Sequence, residues 1–119
     1  MDNKEFSKQL ENRTKLFAID IIMLSSVLPN TPESKVIRNQ ITKSGTSIGA
    51  NYREANRSRS KADFINKIKI CESEASETTY WLEIIADLNW IDAEKLKLIL
   101  TEAKEILAIF TSTGKNLKL

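Results

Sequence analysis

Ser44-Gly45-Thr46-Ser47-Ile48-Gly49-Ala50-Asn51 lies where a buried helix ought to be rich in large apolar residues, and its reading decides the fold. A helical glycine costs about 1 kcal/mol relative to alanine, and serine and threonine divert hydrogen bonds away from the helical ladder. The surrounding pattern nevertheless stays helical: Ile37, Ile41, Ser44/Gly45, Ile48, Tyr52 and Ala55 recur on one face. Departures from propensity inside a regular helix point to close packing or to function. Gly45 and Gly49, four residues apart, clear a strip along which another backbone can approach, either within the chain or from a second copy.

Outward from this segment the same period continues. Leu28-Pro29-Asn30-Thr31-Pro32 is a turn, with Thr31 placed to cap the helix, Pro32 in its first turn and Glu33 favourable to its dipole. This second helix is expected to reach about Asn56. Before the turn, a helix from about Lys4 to Val27 places Leu10, Phe17 and Leu24 seven residues apart, with Phe6, Thr14, Ile21 and Leu28 completing the seam. Ile19, Ile22 and Met23 widen its apolar surface beyond a single seam. After Arg57-Ser58-Arg59, Ser60-Lys61-Ala62-Asp63 resembles a capping box and opens a third helix to about Leu88.

The third helix carries two stripes: Phe64, Ile68, Cys71, Ala75, Thr78, Leu82 and Ile85, then Ile70, Glu74, Glu77, Trp81, Ile84 and Leu88. One neighbour does not need both, so Ile70, Trp81, Ile84 and Leu88 are candidates for helix packing or oligomerisation, as are Gly45 and Gly49. Asp92 caps a fourth helix built on Leu96, Ile99, Ala103, Ile106, Leu107 and Phe110, expected to end near Gly114, a usual C-terminal glycine. No strand-period run competes. The expectation is one all-α domain over 1–119, an antiparallel up-down-up-down four-helix bundle.

Composition narrows the chemistry. Histidine is absent, which removes the imidazole base, the Ser–His and Cys–His nucleophile pairs and the histidine metal ligand. The expectation is a chain that is no enzyme and needs no cofactor. The lone Cys71 excludes an internal disulfide and suits a reducing, cytoplasmic setting; it reads as a small core residue. The longest apolar stretch, Leu16 to Leu28, is broken by Asp20, Ser25 and Ser26 and falls short of a membrane span. The polar Asp2-Asn3-Lys4-Glu5 start carries no secretory signal.

A net charge of +2 conceals strong segregation. Lys35, Arg38, Lys43, Arg53, Arg57, Arg59 and Lys61 face a single acid, Glu54, between Ser34 and Lys61, whereas Glu72 to Glu94 holds acids and no base. Bundle topology collects Lys4, Lys8, Arg53, Arg57, Arg59, Lys61, Lys115 and Lys118 at one pole. Asp87, Asp92 and Glu94 gather at the other. The basic pole suits phosphate, since Lys and Arg release counterions when they neutralise a nucleic-acid backbone. Arg53, Arg57, Arg59, Lys61, Lys4 and Lys8 are therefore the candidate nucleic-acid contacts, set against the plainer reading of a solvated hairpin tip. No aromatic interleaves with them, so stacking on single strands has little support.

Asn51, Glu54, Glu74 and Glu77 form the remaining polar set, read as a hydrogen-bonded network with partners such as Lys67, Thr78 or Tyr80 that fixes helix register. Di-iron bundles pair their carboxylates with Glu-x-x-His motifs, and without histidine no metal is expected.

Lys43-Ser-Gly-Thr-Ser-Ile-Gly-Ala-Asn51, Glu54-Ala55, Ser60-Lys-Ala-Asp-Phe64 and Glu74-Ala-Ser-Glu77-Thr78-Thr-Tyr80-Trp81-Leu82 together resemble the four-helix-bundle proteins encoded in 23S rRNA intervening sequences. The resemblance is close over helices 2 and 3 and extends in pattern over nearly the whole chain. It implies an antiparallel bundle, a homopentamer as the homo-oligomer, and no established catalysis. Accessory proteins of diversity-generating retroelements share the architecture and bind nucleic acid and a reverse transcriptase through basic surfaces. RNA, DNA and a reverse transcriptase are thus the partners the resemblance suggests. Many members carry Glu-Gly where this chain has Glu54-Ala55, so the helix 2–3 connection is a point of departure.

Overall fold

The computed structural model describes residues 3–117. It contains four helices, α1 (Asn3–Ser26), α2 (Pro32–Ala55), α3 (Lys61–Asp87) and α4 (Ala93–Lys115), and no strand among the described residues. Each helix packs on its neighbours in chain order and α4 closes weakly back onto α1, which sets α1 diagonal to α3 and α2 diagonal to α4. This is the up-down-up-down bundle, 45 × 27 × 20 Å in extent. Among the described residues no helix is long and apolar enough to cross a membrane.

The starts follow the capping chemistry. Thr31, Ser60 and Asp92 each accept a hydrogen bond through the side chain from the backbone N–H three residues on, at Ser34, Asp63 and Lys95, satisfying donors the helix leaves free. The stops were less legible. α4 ends near Gly114 as expected, but the glycine supplies no left-handed cap: the helix runs one residue on to Lys115 and closes at Asn116 in right-handed backbone. Among the described residues the left-handed one is Asn89 (φ 55°), in the turn from α3 to α4, where asparagine tolerates that conformation.

The core is built from the expected seams. Leu10, Thr14, Phe17, Ile21, Leu24 and Leu28 of the first seam are buried, against Ile41, Ile48, Tyr52 and Ala55 of the second. Phe6 departs from its expected place and is largely exposed, because it lies one turn from the start of α1, ahead of the level at which the buried seam begins. The α3 stripe from Ile68 through Ile85 and Leu96, Ala103, Ile106 and Phe110 of α4 close the interior, where the Tyr52 and Phe110 rings meet edge to face at 5.4 Å.

Candidate nucleic-acid interface

The basic pole is assembled by the α2–α3 connection and the start of α1. Arg53, Arg57, Arg59, Lys61, Lys4 and Lys8 are all exposed, as is Lys115 at the end of α4; Lys118 lies outside the described residues. Among the described residues no ion pair engages Arg57, Arg59 or Lys61. Lys4 and Lys8 border a shallow depression with Asn56, and Arg57 and Arg59 border another with Lys67, so the pole is dimpled and not flat.

Sequence reasoning placed a single acid against these bases, and the structure adds two more. Glu11 of α1 lies 3.7 Å from Arg53 and accepts a 2.9 Å hydrogen bond from the Asn56 side-chain amide. Asp63 edges the depression beside Arg57 and Arg59. Glu54 is turned to Lys67, 3.1 Å away. Of the six candidate bases, Arg53 is therefore partly neutralised, and among the described residues no ion pair engages Arg57, Arg59 or Lys61. The contribution of Glu11 depends on the register of α1 against α2, which no local motif carries. The acidic pole is separated by most of the 45 Å length, several times the ~8 Å screening length in physiological salt, so the two ends act independently.

The small-residue strip faces α1. A side-chain carbon added at Gly45 would lie 2.8 Å from Ile21 Cγ2, and one at Gly49 would lie 3.0 Å from Thr14 Oγ1 and 3.3 Å from the Thr14 carbonyl carbon. Neither glycine has positive φ, so their role is close approach of two helices within the bundle. Outside this seam an open groove of about 400 Å³ runs between α1 and α2, edged by Lys15, Arg53 and Arg57 and by Glu11 and Glu54.

The polar set expected to form one network is dispersed. Asn51 donates to the Ser47 carbonyl of its own helix, Glu54 pairs with Lys67, and Glu77 accepts from the Trp81 indole at 3.3 Å. Burial, reinforced by repulsion from Glu77 and opposed by Lys43, raises the Glu74 carboxyl above its usual range. A buried side-chain contact between α2 and α3 is instead Thr78 donating to Ser44 at 2.8 Å, with Ser44 donating on to the Ile41 carbonyl. Cys71 is buried, its thiol directed at the Ile48 carbonyl, and burial pushes it up to about 12, which suits a core residue and not a nucleophile. No group of acids and cysteine among the described residues is arranged to hold a metal ion.

The sequence model of the 23S rRNA-intervening sequence proteins matches residues 7–112. The chain belongs to that family. Its fold is also that of a crystallised protein of unknown function from the S23 ribosomal protein family of Bacteroides thetaiotaomicron, 40% identical in sequence, with a TM-score of 0.81 over 89% of this chain and 98% of that one. No curated protein matches the sequence. The 23S rRNA-intervening sequence family thus accounts for the motifs of α2 and α3, and the match includes Lys8, Arg53, Arg57, Arg59 and Lys61 of the basic pole.

Proposed function

We propose that this chain is a non-enzymatic, cytoplasmic homo-oligomer that binds nucleic acid, structured RNA foremost, through its basic pole. The observation that carries the reading is the cluster Arg57, Arg59 and Lys61, exposed at one end and free of acid partners among the described residues. In a ring whose subunits align their poles, these charges repeat around a rim and bind multivalently. Recognition is of phosphate and shape, because no helix is offered for base reading and a single exposed aromatic, Phe6 between Lys4 and Lys8, makes no stacking platform. The resemblance to the intervening-sequence proteins favours five subunits, and a reverse transcriptase is the protein partner suggested by the related retroelement accessory proteins.

Replacing Arg57, Arg59 and Lys61 with glutamine is expected to abolish retention of RNA or DNA on a filter while leaving assembly intact. Wild-type binding is expected to fall steeply with added salt, by about tenfold or more between 50 and 200 mM. Failure of the wild type to retain either nucleic acid at about 50 mM salt, where electrostatic binding is strongest, favours the second reading. In that reading the chain is a protein-interaction scaffold whose segregated charge serves subunit assembly. The long acid-only run from Glu72 to Glu94 supports it.

A further inference from the structure

Three depressions meet around the end of α2, and they share their walls. The groove between α1 and α2 and the dimple beside Lys4 and Lys8 have Glu11 in common. The groove and the dimple beside Arg59 and Lys67 have Glu54 and Arg57 in common. The basic pole is therefore continuous with the groove, and Arg57 stands at the junction. From there the groove follows the α1–α2 seam away from the pole, over a floor of small side chains at Ala18, Thr46, Gly49 and Ala50. The small residues let the two helices close on each other, as Gly49 does on Thr14, and they leave the outer side of the seam hollow.

The bases along this hollow form a ladder. Arg57 and Arg53 are four residues apart, which is about 6 Å of helical rise. Gly49, four residues further back along α2, rests on Thr14, so the next residue of α1, Lys15, stands about another 6 Å along. Each step is comparable with that between successive phosphates of one strand. The acids on the walls are already engaged. Glu54 bonds Lys67 at 3.1 Å, and Glu11 accepts from Asn56 at 2.9 Å and lies 3.7 Å from Arg53. Among the described residues no ion pair engages Lys15 or Arg57.

We propose that one strand of a bound RNA turns from the pole into the α1–α2 groove, its phosphates on Arg57, Arg53 and Lys15, with Glu11 as a built-in competitor for Arg53. The inference rests on the nucleic-acid reading above and carries its contacts off the pole, to Lys15. An open groove of about 400 Å³ has room for a stretch of backbone and none for a duplex, so the bases of the seated strand face outward. A phosphate that reaches Arg53 displaces Glu11, which keeps its bond from Asn56. The exchange is easy because the Arg53–Glu11 pair is long and solvent-exposed on the arginine side.

Lys15→Gln with Arg53→Gln tests the track, read by fluorescence anisotropy of a labelled RNA hairpin at several salt concentrations. The slope of log affinity against log salt is expected to become shallower by about 0.7–0.9 for each base removed, about 1.5 in all. Helical circular dichroism is expected to stay that of the wild type, since both positions are exposed. Lys95→Gln with Lys97→Gln removes the same charge in the first turns of α4, at the opposite end, and is expected to leave the slope unchanged. Glu11→Gln is expected to tighten binding about two- to fivefold, the worth of an exposed ion pair. An unchanged slope in the groove variant, an equal drop in the α4 variant, or no tightening by Glu11→Gln overturns the track. If the double variant loses helicity, Lys15→Gln alone serves in its place, with half the change in slope. A wild type that binds no hairpin overturns the nucleic-acid reading itself, whereas a hairpin lost with Arg57, Arg59 and Lys61 but indifferent to Lys15 and Arg53 overturns the track alone.

Discussion

α1 meets its two neighbours on opposite terms. Against α2 it packs backbone to backbone: Gly45 lies on Ile21 and Gly49 on Thr14, with no room for a methyl group at the first. Against α4 the approach is loose and the seam is spanned by a long side chain. Arg13 reaches Glu102 through two nitrogens, at 2.6 and 2.7 Å, and Glu105 at 3.0 Å. One seam excludes solvent and fixes register by shape; the other lies at the surface and fixes it by charge. Shape complementarity in a dry seam is sensitive to a single carbon, whereas exposed ion pairs contribute little each. Loose closure by α4 also leaves the outer flank of α1 uncovered, and Leu16, Ile19 and Met23 remain at the surface.

The glycine seam is where the largest effect is expected. In Gly45→Leu the first side-chain carbon already falls 2.8 Å from Ile21 Cγ2, and Ile21 is fully buried and β-branched, with no free rotamer to retreat into. The variant should lose about 3 kcal/mol or more in denaturant unfolding. Gly45→Ala should also lose stability, by about 1 kcal/mol net, since strain exceeds the ~1 kcal/mol gained in helix propensity. A raised melting temperature for Gly45→Ala would break the comparison at once, because it would mean α1 can give way without cost.

Gly49→Ala probes the same seam one turn lower. The new methyl would lie 3.0 Å from the Thr14 hydroxyl and 3.3 Å from its backbone carbon. That hydroxyl is held by bonds to the Leu10 and Glu11 carbonyls, so movement costs part of a buried hydrogen bond. The contact is less severe than at Gly45, and the propensity gain offsets more of it. A loss of about 0.5 kcal/mol, smaller than for Gly45→Ala, is expected from paired urea titrations. The reverse order would move the point of closest approach from Ile21 to Thr14.

This seam also marks what the sequence can reveal. Four helices, their caps and the buried seam follow from period and capping residues, because those signals are local. Gly45 and Gly49 announced close packing by their cost, but which helix they face depends on register between distant segments. The same holds for Glu11 beside Arg53 and for Ser44 bonded to Thr78: each pairs residues far apart in the chain. Asn51, Glu54, Glu74 and Glu77 looked like a network because they are polar, fall in two pairs three residues apart and lie mid-bundle. Helical side chains of that kind mostly find partners on their own helix, as Asn51 does with Ser47 and Glu77 with Trp81. The end of α4 near Gly114, by contrast, was legible, although the cap falls at Asn116 and not at the glycine.

The smallest effect belongs to the α1–α4 clasp. Burial lowers and the Glu102 and Glu105 bonds raise the Arg13 guanidinium, with the Glu102 hydrogen bond dominant, so the cation is firmly held in its charged form. Arg13 and Glu102 are nonetheless about a third exposed and Glu105 more than half, which lets water and salt screen them. Arg13→Met keeps most of the aliphatic stem and removes the fork, and it should cost roughly 0.5–1 kcal/mol at low ionic strength. In about 1 M salt, where the screening length shrinks to roughly 3 Å, most of that difference should vanish, whereas the Gly45→Ala deficit should persist because it is steric. Urea unfolding of both variants at the two salt concentrations reads the contrast directly. If the Arg13→Met deficit survived high salt, α4 would be held to α1 by packing of the arginine stem and not by charge, and the two seams of α1 would differ in tightness alone.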